Sequence, residues 1–196
     1  MSTQITGIFG GSFNPIHNGH IAIANAACRS GMIDELWLMV SPQNPLKRNC
    51  ELMDDEFRLH LAQIATREYS NIHVSDFEFH LPRPSYTYNT LERLRENYPE
   101  RQFVIVIGAD NWVNFSQWYK AKYLLTHYNF IIYPRKGYTI SHKTLPSNVY
   151  YLDMPLHNIS STEIRKRIKE NKNLSGLVNS DVEKELKSFL SKPQHK

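Results

Sequence analysis

The chain has 196 residues, enough for one domain with a sizeable hydrophobic core. Hydrophobic residues make up 41% and charged residues 21%, as in ordinary globular proteins, and the net charge of +4 suits anionic ligands without indicating a nucleic-acid-binding protein. Two cysteines are too few for a disulfide framework or a zinc site, and neither a secretory leader nor a membrane span is apparent, so we expect a cytoplasmic protein that binds neither nucleic acid nor membranes.

Taken in chain order, apolar strand patterns alternate with helical ones. Strands are predicted at residues 5–9, 35–40, 72–79, 103–107, 130–133 and 149–152. Helices are predicted at residues 21–28, 54–69, 88–98, 161–171 and 181–190. This alternation favours a Rossmann-like, doubly wound α/β fold, in which helices cover both faces of a mostly parallel sheet. Ligands of such folds bind beyond the carboxyl ends of the strands, where the strand order reverses.

The chain shows no internal repeat or low-complexity segment that would divide it. We therefore expect a single domain over residues 1–192, followed by a loose tail at residues 193–196. The polar, turn-rich stretch at residues 137–147 is predicted to be a mobile loop.

The segment after the first predicted strand carries the strongest functional signal. It reads Gly-Gly-Ser-Phe-Asn-Pro-Ile-His-Asn-Gly-His at residues 10–20. Gly10 and Gly11 allow a tight turn and a close ligand approach, and a helix start offers unpaired N–H groups to an anion. His17 and His20 are three residues apart, so both rings share a helix face and can donate hydrogen bonds to phosphate. A turn without a ligand is the alternative, and the paired histidines argue against it.

A second helix start, at residues 159–165, carries hydroxyl groups and an arginine. It reads Ile-Ser-Ser-Thr-Glu-Ile-Arg, with Glu163 three residues after Ser160, the spacing of a capping box. A simple cap with an exposed Arg165 is one interpretation. A phosphate site is the other, because a capped helix mouth also attracts anions.

These two segments resemble the H-x-G-H signature, usually preceded by G-G-[ST]-F-[DN]-P, and the I-S-S-T-x-I-R signature of the nucleotidylyltransferase superfamily. The resemblance implies that both motifs hold the phosphates of ATP during adenylyl transfer. The implied catalytic residues are His17, His20 and Arg165. The implied ATP-binding residues of the two motifs are Gly10, Gly11, Ser12, Phe13, Asn14, Ser160 and Ser161.

Four further segments resemble the bacterial nicotinate-mononucleotide adenylyltransferase family. They are Ile-Gly-Ala-Asp-Asn-Trp at 107–112, Pro-Ser-Tyr-Thr-x-x-Thr-Leu at 84–91, Phe-x-x-Trp-Tyr at 115–119 and Pro-Arg-Lys-Gly at 134–137. The resemblance places Gly108, Asp110 and Arg135 at the ATP site. It implies that hydroxyl and backbone groups hold the acceptor while a tryptophan stacks on its pyridine ring. The implied substrate-binding residues are Ser85, Tyr86, Thr87 and Trp118.

Taken singly, these residues have ordinary structural interpretations. Trp118 would be a core aromatic, Ser85 and Thr87 a helix cap, and Arg135 an exposed turn residue. A flat ring with a carboxylate, however, prefers a flat partner and hydrogen-bond donors, which favours the functional interpretation.

One segment departs from the family pattern. Family members commonly carry P-x-N-x-P-H-K after the second strand, whereas residues 42–47 read Pro-Gln-Asn-Pro-Leu-Lys. Leu46 thus replaces the histidine. Asn44 and Lys47 remain candidate substrate-binding residues.

We therefore expect adenylyl transfer from ATP to nicotinate mononucleotide, giving nicotinate adenine dinucleotide (deamido-NAD) and pyrophosphate. Mg²⁺ is expected to travel on the ATP phosphates, without a metal site made by the protein. The alternatives are a related adenylyltransferase that accepts nicotinamide mononucleotide or phosphopantetheine, and a non-catalytic nucleotide-binding module on the same fold. The preference for acid or amide stays open, and so does assembly into a homo-oligomer.

Overall fold

A computed structural model describes residues 3–42 and 53–191. The strands there are β1 Gln4–Gly11, β2 Glu35–Val40, β3 Ile72–Ser75, β4 Arg101–Gly108, β5 Asn129–Tyr133 and β6 Val149–Tyr151. The helices are α1 Asn18–Arg29, α2 Asp55–Thr66, α3 Thr87–Asn97, α4 Ala109–Val113, α5 Ala121–His127, α6 Ser161–Lys169 and α7 Ser180–Ser191. The strands form one parallel sheet in the order β3-β2-β1-β4-β5-β6.

Different helices cover the two faces of this sheet. Along β4, Val104 and Val106 pack into a hydrophobic cluster with residues of α1, α2, α6 and α7. Ile105 and Ile107 pack into a second cluster with residues of α3 and α5. All four side chains are buried, as expected for a central strand of a parallel sheet. The predicted Rossmann-like, doubly wound α/β fold is confirmed.

The strand order reverses between β1 and β4. β1 pairs with β2 on one side and with β4 on the other, and the chain crosses over from β3 to β4 through α3. Such a reversal opens a crevice at the carboxyl ends of the two strands. The loop after Gly11 and the helix α4 after Gly108 both begin at this end of the sheet.

The predicted strand at residues 72–79 is wrong in its second half. β3 ends at Ser75, and Phe77–His80 form a 3-10 helix. β3 lies at the sheet edge and its four residues pair with β2. Beyond this ladder the Ser75 hydroxyl accepts a hydrogen bond from the Phe77 N–H at 3.2 Å, a local turn that competes with strand extension.

Helical periodicity misses α4 and α5, which have only five and seven residues. It also places the start of α1 three residues late, because His17 rather than an apolar residue caps this helix. The stretch at 137–147 contains the 3-10 helix His142–Thr144, and its mobility stays a prediction. The tail at 193–196 lies outside the described residues, so the single-domain boundary also stays a prediction.

Helices of the described ranges, 3–42 and 53–191, are either too short or too polar to cross a bilayer.

The C-terminal helix α7 completes one face of the core. Val182 and Leu186 are fully buried in the cluster that also contains residues of α1 and α2. Phe189 stacks on Phe57 of α2 with 4.2 Å between ring centroids.

Replacing Leu186 by Ala should lower the free energy of unfolding by about 2–5 kcal/mol, because the change leaves a cavity as well as removing buried apolar surface. Urea unfolding followed by circular dichroism measures the loss. Lys187→Ala is the matched control, since the Lys187 side chain is 68% exposed, and should cost less than about 1 kcal/mol. Equal losses would contradict the assignment of α7 to the core.

Candidate active site

Two stacked histidines lie at the mouth of α1. His17 is the N-cap residue, and its Nδ1 accepts a hydrogen bond from the His20 N–H at 3.3 Å. The His20 Nδ1 accepts from the His17 N–H at 3.2 Å. The ring centroids are 3.6 Å apart and the ring planes differ by 17°. Each ring therefore uses Nδ1 to cap the helix, which leaves Nε2 for a ligand.

Both rings are neutral near pH 7. Burial, followed by the charge of Arg135, lowers the pKa of His17 from 6.5 to about 4. Burial also lowers the pKa of His20 well below 6.5, and His17 and Arg135 add to the shift. We assign the proton to Nε2, because a neutral ring whose Nδ1 accepts a hydrogen bond must carry its proton on the other nitrogen. The pair thus presents two Nε2–H donors without net charge.

Most backbone N–H groups at the start of α1 already donate hydrogen bonds within the protein. The N–H groups of His17 and His20 bond to the two rings, and the Asn18 N–H donates to the Leu177 carbonyl at 2.9 Å. The usual anion site of a helix N-terminus is therefore replaced here by ring donors.

Close packing keeps the ring pair in place. A Cβ on Gly19 would lie 3.0 Å from the His17 Nδ1, so a side chain there would press on the ring. Phe13 has a φ of 42°, in the left-handed region that bulky residues rarely adopt. Its ring meets those of His20 and Phe9 edge-on, with centroids 5.0 and 5.6 Å away. This packing holds a strained backbone at the site.

Helix α6 approaches the same loop from the other end of the chain. Ser160 caps α6 through its hydroxyl. The Ser161 Oγ donates to the Pro15 carbonyl at 3.0 Å, and the Arg165 Nη1 donates to the Asn14 carbonyl at 2.9 Å. The structure therefore brings the two sequence motifs into direct contact.

The carboxyl end of β4 adds a polar pair. The Asp110 Oδ1 lies 3.5 Å from the Arg135 Nε. Both atoms are buried, and beyond this ion pair neither has a hydrogen-bond partner in the described part of the chain. A Cβ on Gly108 would overlap Asp110 Oδ1, so a side chain there would displace the Asp110 carboxylate. Unmet hydrogen-bonding capacity of this kind suits a polar ligand.

A cleft of about 380 Å³ opens beside these groups. Gly10 and Gly11, which begin the predicted phosphate loop (residues 10–17), line it together with Ser85, Thr87 and Trp118, the residues predicted to bind the acceptor. The Ser85 Oγ is buried and lacks a hydrogen-bond partner among residues 3–42 and 53–191. The structure thus joins the two sets of predicted residues in one cleft.

The Tyr86 side chain lies outside the cleft that Ser85 and Thr87 line. It is not among the residues that line the cleft within the described ranges, its side chain is 44% exposed, and its ring packs against Tyr119 at 5.0 Å. Its contact with substrate stays a prediction.

Sequence reasoning misses a buried arginine at this site. Arg58 of α2 donates to the carbonyl oxygens of Ser12 and Ser41 and is completely buried. A signal was present, since Arg58 lies three and four residues before Leu61 and Ala62 on the buried stripe of α2.

A buried glutamate was missed as well. Glu78, in the 3-10 helix after β3, lines the cleft and accepts a hydrogen bond from the Thr90 Oγ1 at 2.8 Å. Burial raises its pKa, while hydrogen bonds from Thr90 and Ser41 act in the opposite direction. The mistaken assignment of residues 72–79 as strand concealed it.

Comparison with known proteins identifies the family. Residues 8–167 match the cytidylyltransferase-like family. A protein of Bacteroides thetaiotaomicron named "probable nicotinate-nucleotide adenylyltransferase" is 46% identical over 185 residues, which cover 94% of this chain and 92% of that protein. A Bacteroides fragilis protein of the same name is 46% identical over 186 residues, covering 95% of this chain and 92% of its own. This chain belongs to the cytidylyltransferase-like family, among the nicotinate-nucleotide adenylyltransferases.

A solved structure agrees with this family assignment at the level of fold. Plasmodium falciparum nicotinic acid mononucleotide adenylyltransferase, complexed with NaAD, has a TM-score of 0.82 at 21% identity. The match covers 96% of this chain and 97% of that chain. Identity this low shows a common fold alone.

The family segment after β2 carries Asn44, Leu46 and Lys47, which lie outside the described residues. Substrate contacts of Asn44 and Lys47, and the effect of Leu46, stay predictions.

The lowered pKa of His17 should make stability depend on pH. Between pH 6.5 and about 4 the unfolded chain binds more protons at this ring than the folded chain, so the free energy of unfolding falls as the pH falls through this window. The shift corresponds to about 3 kcal/mol. His17→Asn keeps a capping oxygen but does not titrate, and should flatten the dependence.

Urea unfolding at pH 7 and pH 5 compares the two proteins. His80→Gln, which replaces a side chain 74% exposed, controls for loss of a histidine in general. The same loss of stability in wild type and His17→Asn would contradict the prediction.

Proposed function

We propose that this chain transfers the adenylyl group of ATP to nicotinate mononucleotide, releasing pyrophosphate and forming nicotinate adenine dinucleotide in NAD biosynthesis. One observation carries the proposal: two neutral Nε2–H donors end the loop that starts at Gly10 and Gly11, and these glycines line one cleft with Ser85, Thr87 and Trp118 of the predicted acceptor site. The relatives at 46% identity are named for the same reaction class.

In this reaction a phosphate oxygen of the mononucleotide attacks the α-phosphorus of ATP. A new P–O bond forms there, the bond to the bridging oxygen of the β-phosphate breaks, and its electron pair leaves with pyrophosphate. The attacking oxygen is already ionised at pH 7, so the reaction needs no strong general base. Catalysis then depends on alignment and on stabilising charge at the α-phosphate.

His17 and His20 stabilise the charge at the α-phosphate. Their Nε2–H groups point away from the capped backbone and can donate to oxygens of the α-phosphate as charge builds there. Since both rings are neutral, they act as fixed dipolar donors rather than as acids.

Helix α6 anchors the β- and γ-phosphates and then the leaving pyrophosphate. Arg165 supplies positive charge, and its contact with the Asn14 carbonyl fixes the guanidinium against the loop. The Ser160 hydroxyl accepts from the Glu163 N–H and keeps its own proton for a phosphate oxygen. Ser161 already donates to Pro15, so its hydroxyl mainly joins the helix to the loop.

The pair of Asp110 and Arg135 faces the nucleoside side. The Asp110 carboxylate can accept hydrogen bonds from ribose hydroxyls, and Arg135 can approach the phosphates. On the acceptor side, Trp118 would stack on the pyridine ring, while Ser85 and Thr87 would donate to its carboxylate.

Mg²⁺ would arrive on the ATP phosphates, keep mostly water ligands and neutralise part of their charge. Within residues 3–42 and 53–191 no three His, Cys, Asp or Glu side chains are arranged to hold a metal ion. The positive charge of Arg135 acts on both histidines, which suits phosphate rather than a bare cation. The cytoplasmic location expected from the sequence remains a prediction.

Pyrophosphate release from ATP tests the reaction and its acceptor. Nicotinate mononucleotide, nicotinamide mononucleotide and phosphopantetheine should be compared in parallel, with the dinucleotide identified by chromatography. We expect the highest kcat/KM with nicotinate mononucleotide, because Ser85 and Thr87 offer donors to a carboxylate. A preference for another acceptor would reassign the substrate, and release with none would indicate a nucleotide-binding module.

Removal of a ring donor tests the histidines. His20→Ala should lower kcat by roughly a hundredfold or more, the scale of losing one electrostatic donor. His17→Asn should lower kcat similarly while retaining the helix cap, so that its melting temperature stays near that of the wild type. Near-normal turnover of either folded variant would refute the catalytic role, and His80→Gln serves as the unaffected control.

A further inference from the structure

Arg58 is completely buried at the carboxyl end of the sheet. Arginine is almost never fully buried unless its guanidinium is paired. Its guanidinium donates to three main-chain carbonyls: that of Ser12, that of Ser41 at 2.9 Å and that of Met53 at 3.1 Å. It also forms an ion pair with Asp55 one turn earlier in α2. Each of the three nitrogens of the planar group thus has a partner.

The three carbonyls belong to different parts of the site. Ser12 lies in the loop that ends at His17, and Ser41 follows β2 and lines the acceptor cleft. Met53 precedes α2, and its N–H donates to the Asn14 Oδ1 at 3.0 Å, a second link to the same loop. Arg58 therefore connects the phosphate loop to one wall of the cleft.

The chemistry of the group makes this connection rigid. A guanidinium carries five donors in one plane, so the directions of its hydrogen bonds fix the relative positions of the acceptors. A lysine would offer one rotating ammonium and could not hold three carbonyls in that arrangement.

We propose that Arg58 is a positioning residue for adenylyl transfer, which fixes the phosphate loop at Ser12 against the acceptor cleft at Ser41 and so aligns the α-phosphate with the attacking oxygen. The residue acts through backbone carbonyls rather than by touching the reacting atoms. This inference rests on the proposed function and adds to it the source of the alignment.

A purely stabilising role is the competing explanation, and Arg101 provides the matched control. Its side chain is 19% exposed, its Nη1 donates to the Thr6 Oγ1 at 3.0 Å, and it forms an ion pair with Glu35. Arg101 begins β4 at the opposite end of the sheet from the site. Its removal disturbs a partly buried cation that does not line the cleft.

The experiment compares Arg58→Met, Arg58→Lys and Arg101→Met with wild type. kcat and KM for ATP and nicotinate mononucleotide are measured at a temperature where circular dichroism shows each protein fully folded. We expect kcat to fall by about a hundredfold in Arg58→Met, the scale of misalignment by an ångström, and by about tenfold in Arg58→Lys. Arg101→Met should lower the melting temperature but keep kcat within about threefold.

Chemical rescue provides a second readout that a stabilising role would not give. Millimolar guanidinium should raise the kcat of folded Arg58→Ala by about tenfold, because the free cation can reoccupy the space among the carbonyls, and should leave folded Arg101→Ala unchanged. Thermal stability is recorded in parallel, so that kcat is compared only between folded molecules.

A folded Arg58→Met protein with kcat within about threefold of wild type would overturn the proposal. So would equal losses of kcat in the Arg58 and Arg101 variants. If Arg58→Met does not fold, Arg58→Lys decides, and wild-type kcat in that variant overturns the requirement for a planar group. An inactive wild type would instead refute the proposed function, which keeps the two failures distinct.

Discussion

The reciprocal hydrogen bonds between His17 and His20 constrain the rest of the site. They bind both Nδ1 atoms to the helix backbone and thereby place both ring protons on Nε2. They also use N–H groups that an ordinary helix mouth would offer to an anion. The donors available to phosphate are therefore side-chain groups whose direction is set by the backbone, which is the kind of preorganisation that electrostatic catalysis needs.

The loop that carries this pair is held from several sides, because its own backbone is strained at Phe13. Helix α2 reaches it through Arg58, and Met53, just before α2, donates to Asn14. Helix α6 reaches it through Ser161 and Arg165. These helices are distant in sequence but share one hydrophobic cluster beneath the loop. Packing of that cluster and alignment of the phosphate site are consequently parts of the same structure.

Local hydrophobic periodicity was sufficient to predict most of the strands and helices of the fold. β4 is a continuous apolar run, and the spacing of Leu61, Ile64 and Ala65 marks α2, so the alternation of strands and helices could be predicted. The end of β3 could not, since it depends on the length of its pairing with β2 and on one hydrogen bond of Ser75. Many residues of the candidate site could likewise be predicted, because they lie in two short sequence motifs.

The contacts between the motifs could not be predicted from the sequence. The sequence identifies Ser161 as a hydroxyl at a helix start, but only the fold shows that this hydroxyl is already donated to Pro15, 146 residues away. In the same way the spacing of Arg58 before Leu61 and Ala62 places it on the buried stripe of α2, but only the fold shows its carbonyl partners at Ser12 and Ser41. Such contacts arise from tertiary packing, which local periodicity does not encode.

The charges of the site indicate different roles for its histidines and its arginines. Burial lowers the pKa of both rings and Arg135 adds to the shift, so the positive charge proposed to attract ATP also helps to keep the histidines neutral. Permanent cations at the α-phosphate would bind ATP and the dinucleotide product strongly as well as the transition state. Neutral donors respond chiefly to the charge that builds during the transfer, and only this differential stabilisation accelerates the chemical step. In the proposed reaction, arginines supply affinity at the outer phosphates, whereas the paired histidines supply the difference between ground state and transition state.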